Sequence, residues 1–258
     1  MKREIRILED AASLARVAAG EFVRIGNEAV RATGRFTVAL AGGSTPKLLY
    51  SLLASEFRDQ VPWHDVYFFF ADERHAGPDD PDSNFRMAKE AMLSKLSLNS
   101  TQVLRVKAEN PDASQAAADY QQILTDFFKL APGQVPSFDL VLLGMGNEGH
   151  TASLFPGTKA LHEKQRLVVS NWVGKLYTLR ITMTAPVLCN SAHVIFMITG
   201  RDKALALKGV LEGPYEPEQL PAQMIQPRES LLWLVDREAG SLLDRVARNS
   251  TGAQSKKG

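Results

Sequence analysis

The 258-residue chain carries 30 Lys+Arg against 29 Asp+Glu, a formal net charge of +1, which leaves no electrostatic footprint for nucleic acid or an anionic membrane surface. Its single cysteine, Cys189, excludes an intramolecular disulfide, a Cys-based zinc site and a redox pair. Met1-Lys-Arg-Glu-Ile5 mixes acid and base with no apolar leader core, and nowhere do about 18 apolar residues follow one another. The expectation is a cytoplasmic protein, monomeric or weakly homo-oligomeric, whose partner is a small molecule. At this length one sizeable core can form, so 1–248 reads as a single α/β domain. The polar stretch 249–258 reads as a disordered tail.

In chain order, 10–31 predicts an amphipathic helix with Asp10 as its N-cap and Gly34 just past its end. Phe36-Thr-Val-Ala-Leu40 and Val66-Tyr-Phe-Phe-Phe70 follow as short, near-continuous apolar runs of the kind buried on both faces of a sheet. A second helix is predicted over 84–96 and a third from Pro111, placed for a first helical turn, to about residue 130. Strands recur at Asp139-Leu-Val-Leu-Leu143, His193-Val-Ile-Phe-Met-Ile198 and Leu231-Leu-Trp-Leu-Val235, with a helix over 203–211 and a proline-rich surface connection over 213–227. Cys189 falls on a short helix as a small buried hydrophobe, and Trp63, Trp172 and Trp233 read as packing residues. Alternation of strand and helix predicts an α/β fold with a mostly parallel central sheet and helices on both faces.

Three of these strands run into polar turns. After the first comes Ala41-Gly-Gly-Ser-Thr-Pro-Lys47, where the N–H groups of Gly42 and Gly43, the hydroxyls of Ser44 and Thr45 and the start of a helix suit a phosphate or other anion. It lacks the Gly-Lys-Ser/Thr ending of a Walker loop and the Gly-x-Gly-x-x-Gly of a dinucleotide fold, which favours a small phosphorylated metabolite. The second strand ends in Asp72-Glu-Arg-His75. The third runs into Gly144-Met-Gly-Asn-Glu-Gly-His150, a glycine-framed turn presenting an imidazole able to exchange a proton near neutral pH. Parallel sheets place ligands beyond the carboxyl ends of their strands, so these turns converge on one predicted crevice. Arg180 and Lys203 stand where cations could neutralise a dianion at its mouth. Neither a metal-ligand spacing nor a Gly-x-Ser-x-Gly elbow around Ser44 or Ser153 is present.

The ordered set Ala41-Gly-Gly-Ser-Thr-Pro46, Asp72-Glu-Arg74 with Ser83-Asn84, Gly144-x-Gly-x-x-Gly-His-Thr-Ala-Ser-Leu-Phe-Pro156, Arg180-Ile-Thr and Gly200-x-x-Lys203 resembles the 6-phosphogluconolactonase branch of the glucosamine-6-phosphate isomerase/6-phosphogluconolactonase family. The resemblance spans nearly the whole chain. It implies a Rossmann-like α/β fold and hydrolysis of 6-phospho-D-glucono-1,5-lactone to 6-phospho-D-gluconate in the oxidative pentose phosphate pathway, without metal or organic cofactor. One departure is visible: the family usually has Asp where this chain has Glu148, a carboxylate moved by about a bond length.

On that expectation His150 takes a proton from water, and Arg74 offsets charge at the reacting centre or reaches the phosphate. Asp72 orients sugar hydroxyls or a partner side chain, while Ser44, Thr45, Arg180 and Lys203, with Gly42 and Gly43, hold the phosphate. Two rivals share the fold. A sugar-phosphate isomerase or deaminase would carry Asp-Glu-Tyr in place of Asp72-Glu73-Arg74, and His-x-Ala-Phe-Asn-Glu-Pro in place of His150-Thr-Ala-Ser-Leu-Phe-Pro156. A non-catalytic sugar-phosphate sensor would need a DNA-reading segment, and 1–35 shows one amphipathic helix without a basic helix-turn-helix pair.

Overall fold

A computed structural model describes residues 1–244; the predicted tail at 249–258 lies outside the described residues. The chain runs β1 (Lys2–Leu8), α1 (Ala11–Thr33), β2 (Phe36–Leu40), α2 (Ser44–Leu53), β3 (Val66–Phe70), β4 (Asp72–Arg74), α3 (Asn84–Ala91), α4 (Ala113–Phe128), β5 (Leu140–Leu143), β6 (Val168–Val173), β7 (Thr178–Met183), α5 (Ala185–Cys189), β8 (His193–Ile198), α6 (Ala204–Glu212) and β9 (Ser230–Asp236). Six strands form a parallel sheet in the order β1-β9-β8-β5-β2-β3, with helices around it. This is the mostly parallel sheet that strand and helix alternation predicts, in the Rossmann-like arrangement that the resemblance implies.

The central strands are apolar because both faces are covered: every residue of β2 and of β5 is buried. Neighbouring β8 and β9 bring Phe196 opposite Trp233, and their rings stack with centroids 3.9 Å apart and planes 2° from parallel. Registers Leu40↔Phe70 and Leu143↔Phe196 end the central strands along one edge of the sheet. The turns that follow β2, β3, β5 and β8 therefore open on the same side.

Several expectations are corrected. A second sheet, antiparallel and ordered β4-β7-β6, was not legible as strands, nor was edge strand β1. Strand β3 passes directly into this second sheet: Ala71 N–H donates to the Leu40 carbonyl at 2.9 Å, and the Ala71 carbonyl accepts from Met183 N–H at 2.8 Å. Helix α1 keeps its predicted caps, Asp10 accepting from Ser13 N–H and Gly34 closing the end at φ 77°. Helix α4 starts after Asp112, whose carboxylate accepts from the amides of Ser114 and Gln115, so Pro111 precedes the cap. Helix α3 stops at Ala91 instead of residue 96, because a 3₁₀ turn over Leu93–Lys95 keeps Leu93 buried. Trp172 is half exposed on β6, while Trp63 and Trp233 pack as expected. Cys189 is half-buried where a buried residue was expected, its sulfur 3.2 Å from the Met224 carbonyl, and desolvation pushes its thiol pKa up.

Candidate active site

Two buried tyrosines fix where the strands release the chain. Tyr50 of α2 donates to the Ala41 carbonyl at 2.8 Å and accepts from Ala41 N–H at 3.0 Å. Tyr120 of α4 does the same to Phe70, accepting at 2.8 Å and donating at 3.2 Å. Burial drives both phenols upward in pKa, so they stay neutral and keep the hydrogen each must donate.

Beyond Ala41 the chain turns through Gly42 and Gly43 into α2. Gly43 takes φ 105°, a region that disfavours any side chain, and a Cβ on Gly42 would collide with the Asn84 amide. No side chain caps α2 at Gly43. Its first N–H groups and the hydroxyls of Ser44 and Thr45 stand at the cleft, where the helix dipole favours an anion. Thr45 shares a 2.7 Å hydroxyl contact with Thr199 at the end of β8.

Strand alternation divides the acidic and basic residues of β4. Asp72 and Arg74 turn into the cleft, while Glu73 turns away and caps α3, accepting from the amides of Asn84 at 2.7 Å and Phe85 at 2.8 Å. Desolvation pushes the Glu73 carboxyl upward in pKa against those bonds. Asp72 is buried and spoken for: Ser153 Oγ donates to one oxygen at 2.6 Å, and Asn84 Nδ2 approaches the other at 3.3 Å. These contacts tie Ser153 and Asn84 to the cleft wall. His75 leaves the cluster, its Nε2 lying 2.7 Å from the Asn110 carbonyl.

Antiparallel pairing sets Arg74 of β4 opposite Arg180 of β7. Arg74 Nη1 donates to the Asp82 carbonyl at 2.7 Å, but the Nε atoms of both arginines are buried without a hydrogen-bond partner. Desolvation, and then the charge of Arg74, lower the pKa of Arg180. Two like charges held side by side with unused donors call for an anion between or above them. Lys203, at the head of α6, adds a third cation and is held by Asp202 at 2.8 Å.

At the end of β5 the glycine turn delivers His150. Its carbonyl accepts from Gly146 N–H at 2.9 Å, Gly149 sits at φ 85°, and a Cβ on Gly146 would meet the imidazole. Phe155 stacks on the ring at 3.9 Å, and Glu148 Oε2 lies 3.0 Å from Nδ1. A carboxylate there assigns the Nδ1 proton to that bond, which leaves Nε2 with a free lone pair. The His150 bond, against partial burial, and the Lys175 ammonium hold the Glu148 carboxyl down at about 2.

The nine residues assigned to the crevice meet, while Glu73 and His75 of the same turn do not. Gly42, Gly43, Ser44, Thr45, Asp72, Arg74, His150, Arg180 and Lys203 line one cleft of about 350 Å³. Sequence reasoning missed the cleft positions of Thr199, Ala152, Phe155 and Leu176. Thr199 had a readable signal in its place just after an apolar strand; Leu176 had none.

Fold and cleft together define an α/β protein with an imidazole, three cations and a helix start in one crevice. The chain belongs to the glucosamine-6-phosphate isomerases/6-phosphogluconolactonase family, whose sequence model matches residues 9–233. A 6-phosphogluconolactonase of Nostoc sp. is 39% identical over 244 residues, covering 94% of this chain and 99% of the relative. One of Synechocystis sp. is 40% identical over 217 residues, covering 84% and 88%. Among solved structures, 6-phosphogluconolactonase from Trypanosoma cruzi superposes with a TM-score of 0.83 at 30% identity, covering 94% of this chain and 97% of that one.

Proposed function

We propose that this chain is a 6-phosphogluconolactonase, hydrolysing 6-phospho-D-glucono-1,5-lactone to 6-phospho-D-gluconate, with His150 as the general base. One observation carries the reading: an imidazole held by Glu148 on Nδ1 faces the same cleft as three cations and a free helix start. That is the geometry for hydrolysing an ester whose far end is a dianion.

His150 Nε2 takes a proton from water as the water oxygen bonds to C1, and the carbonyl electrons move onto oxygen. The oxyanion collapses, the bond from C1 to the ring oxygen breaks, and the imidazolium returns its proton to that oxygen. A lactone is already activated, so positioning and charge stabilisation supply most of what is needed. Arg180, Lys203, Ser44 and Thr45, with the amides of Gly42 and Gly43, suit the phosphate. Arg74 lies beside Arg180, which supports a phosphate contact for it as well.

The isomerase and deaminase reading loses support at Phe155. The acid that such a segment carries before its proline is here an aromatic ring stacked on His150. Turnover of freshly made 6-phosphoglucono-δ-lactone, corrected for spontaneous opening, tests the proposal. Catalysed opening is expected, and a rate equal to the uncatalysed one would overturn it.

A further inference from the structure

The hairpin joining β6 to β7 reaches the catalytic turn through one side chain. Lys175, in the short helical turn Gly174–Leu176, places Nζ 3.2 Å from Glu148 Oε1, while Oε2 of the same carboxylate takes His150 Nδ1 at 3.0 Å. The two oxygens are thus divided between an ammonium and an imidazole, which fixes the plane of the carboxylate as well as its distance. The next residue, Leu176, lines the cleft itself. Behind the tip, Glu148 and Lys175 line a hollow of about 410 Å³ together with Val173, Gly174, Phe155, Pro156 and Gln219. The ion pair thus joins the hairpin to the turn at the wall of that hollow.

The geometry points to Lys175 as a positioning residue for the hydrolytic reaction: it orients Glu148, which orients His150, and it ties a substrate-facing hairpin to the base. An ion pair whose lysine is 64% exposed adds little to fold stability, so its effect belongs in turnover. Glu148, longer than the usual Asp, has one more rotatable bond to restrain, which is the reason a second anchor matters in this chain. The other charged groups of the cleft are Asp72 and Arg74 from β4, Arg180 from β7 and Lys203 before α6. None of them has a hydrogen bond to Glu148.

This inference rests on the lactonase reading with His150 as base. The test is steady-state lactone hydrolysis by wild type, Lys175→Met, Lys175→Arg, Glu148→Gln, the Glu148→Gln/Lys175→Met double variant and His150→Ala. Lys175→Met should lower kcat by about threefold to fivefold with KM within about twofold, the scale of one exposed charge pair. Lys175→Arg should recover most of kcat, and in the Glu148→Gln background the methionine should change kcat by less than about 1.5-fold. The acidic limb of kcat should move to higher pH in Lys175→Met, because an uncompensated Glu148 holds the imidazolium proton more tightly. Wild-type kcat in Lys175→Met, a loss confined to KM, or an equal loss in the Glu148→Gln background would each overturn the positioning role. If those results accompany a collapse of turnover in His150→Ala, only this inference fails; if His150→Ala turns over normally, the reading beneath it fails.

Discussion

The six-stranded parallel sheet and the three-stranded antiparallel sheet beside it supply different halves of the cleft. Strands of the first are covered on both faces and send backbone turns and one imidazole to a common edge. The second is short and exposed along part of β6 and β7, and it contributes charge: Asp72, Arg74 and Arg180, with Lys175 at its hairpin. The contrast teaches that a buried sheet can set turns at one edge while a short sheet beside it carries charge into the same cleft, to which Lys203, beyond β8, adds.

The sharpest way to break that division is to damage the large sheet. Phe196→Ala removes a fully buried ring stacked on Trp233 and should cost about 3–5 kcal/mol in denaturant unfolding, whereas Trp172→Ala, half exposed on β6, should stay within about 0.5 kcal/mol. Equal losses would show that the two sheets are not energetically distinct. Among the cleft cations, Arg180→Ala in the small sheet and Lys203→Ala beyond β8 should each raise KM for the lactone by about tenfold or more, the scale of a charge-assisted hydrogen bond, with smaller changes in kcat. An unchanged KM for both would move the phosphate elsewhere.

The smallest effect is a pH dependence. Glu148 is depressed from the ordinary 4.5 to about 2 in the fold. Its contribution to stability is therefore complete above 4.5 and fades as pH falls through about 2. The stability gap between wild type and Glu148→Gln should narrow over that acidic window, as followed by urea midpoints. A gap that widens on acidification would contradict the depressed carboxylate.

How much was legible follows the same division. Runs such as Val66-Tyr-Phe-Phe-Phe70 announce a buried parallel strand by composition alone, and knowing that such strands release their ligand turns on one side was enough to gather Gly42, Asp72 and His150 into one crevice. The small sheet escaped because β4 has only three residues and β6 mixes Ser170 and Trp172 into an apolar run. Strand β4 exists through pairing with a distant segment, Arg74 with Arg180, which no local pattern encodes. Asp72 was legible as a site residue able to orient a partner side chain, but not which side chains, since Ser153 and Asn84 reach it from other elements. Lys175 reads as an ordinary surface lysine until the fold sets it against Glu148.

The central claim is that His150 activates water while other groups hold the ligand. Kinetics of His150→Ala measured together with binding of 6-phosphogluconate separate the two halves most directly. The account predicts a loss of turnover of about 100-fold or more with product affinity largely retained. Turnover near the wild-type rate would contradict it.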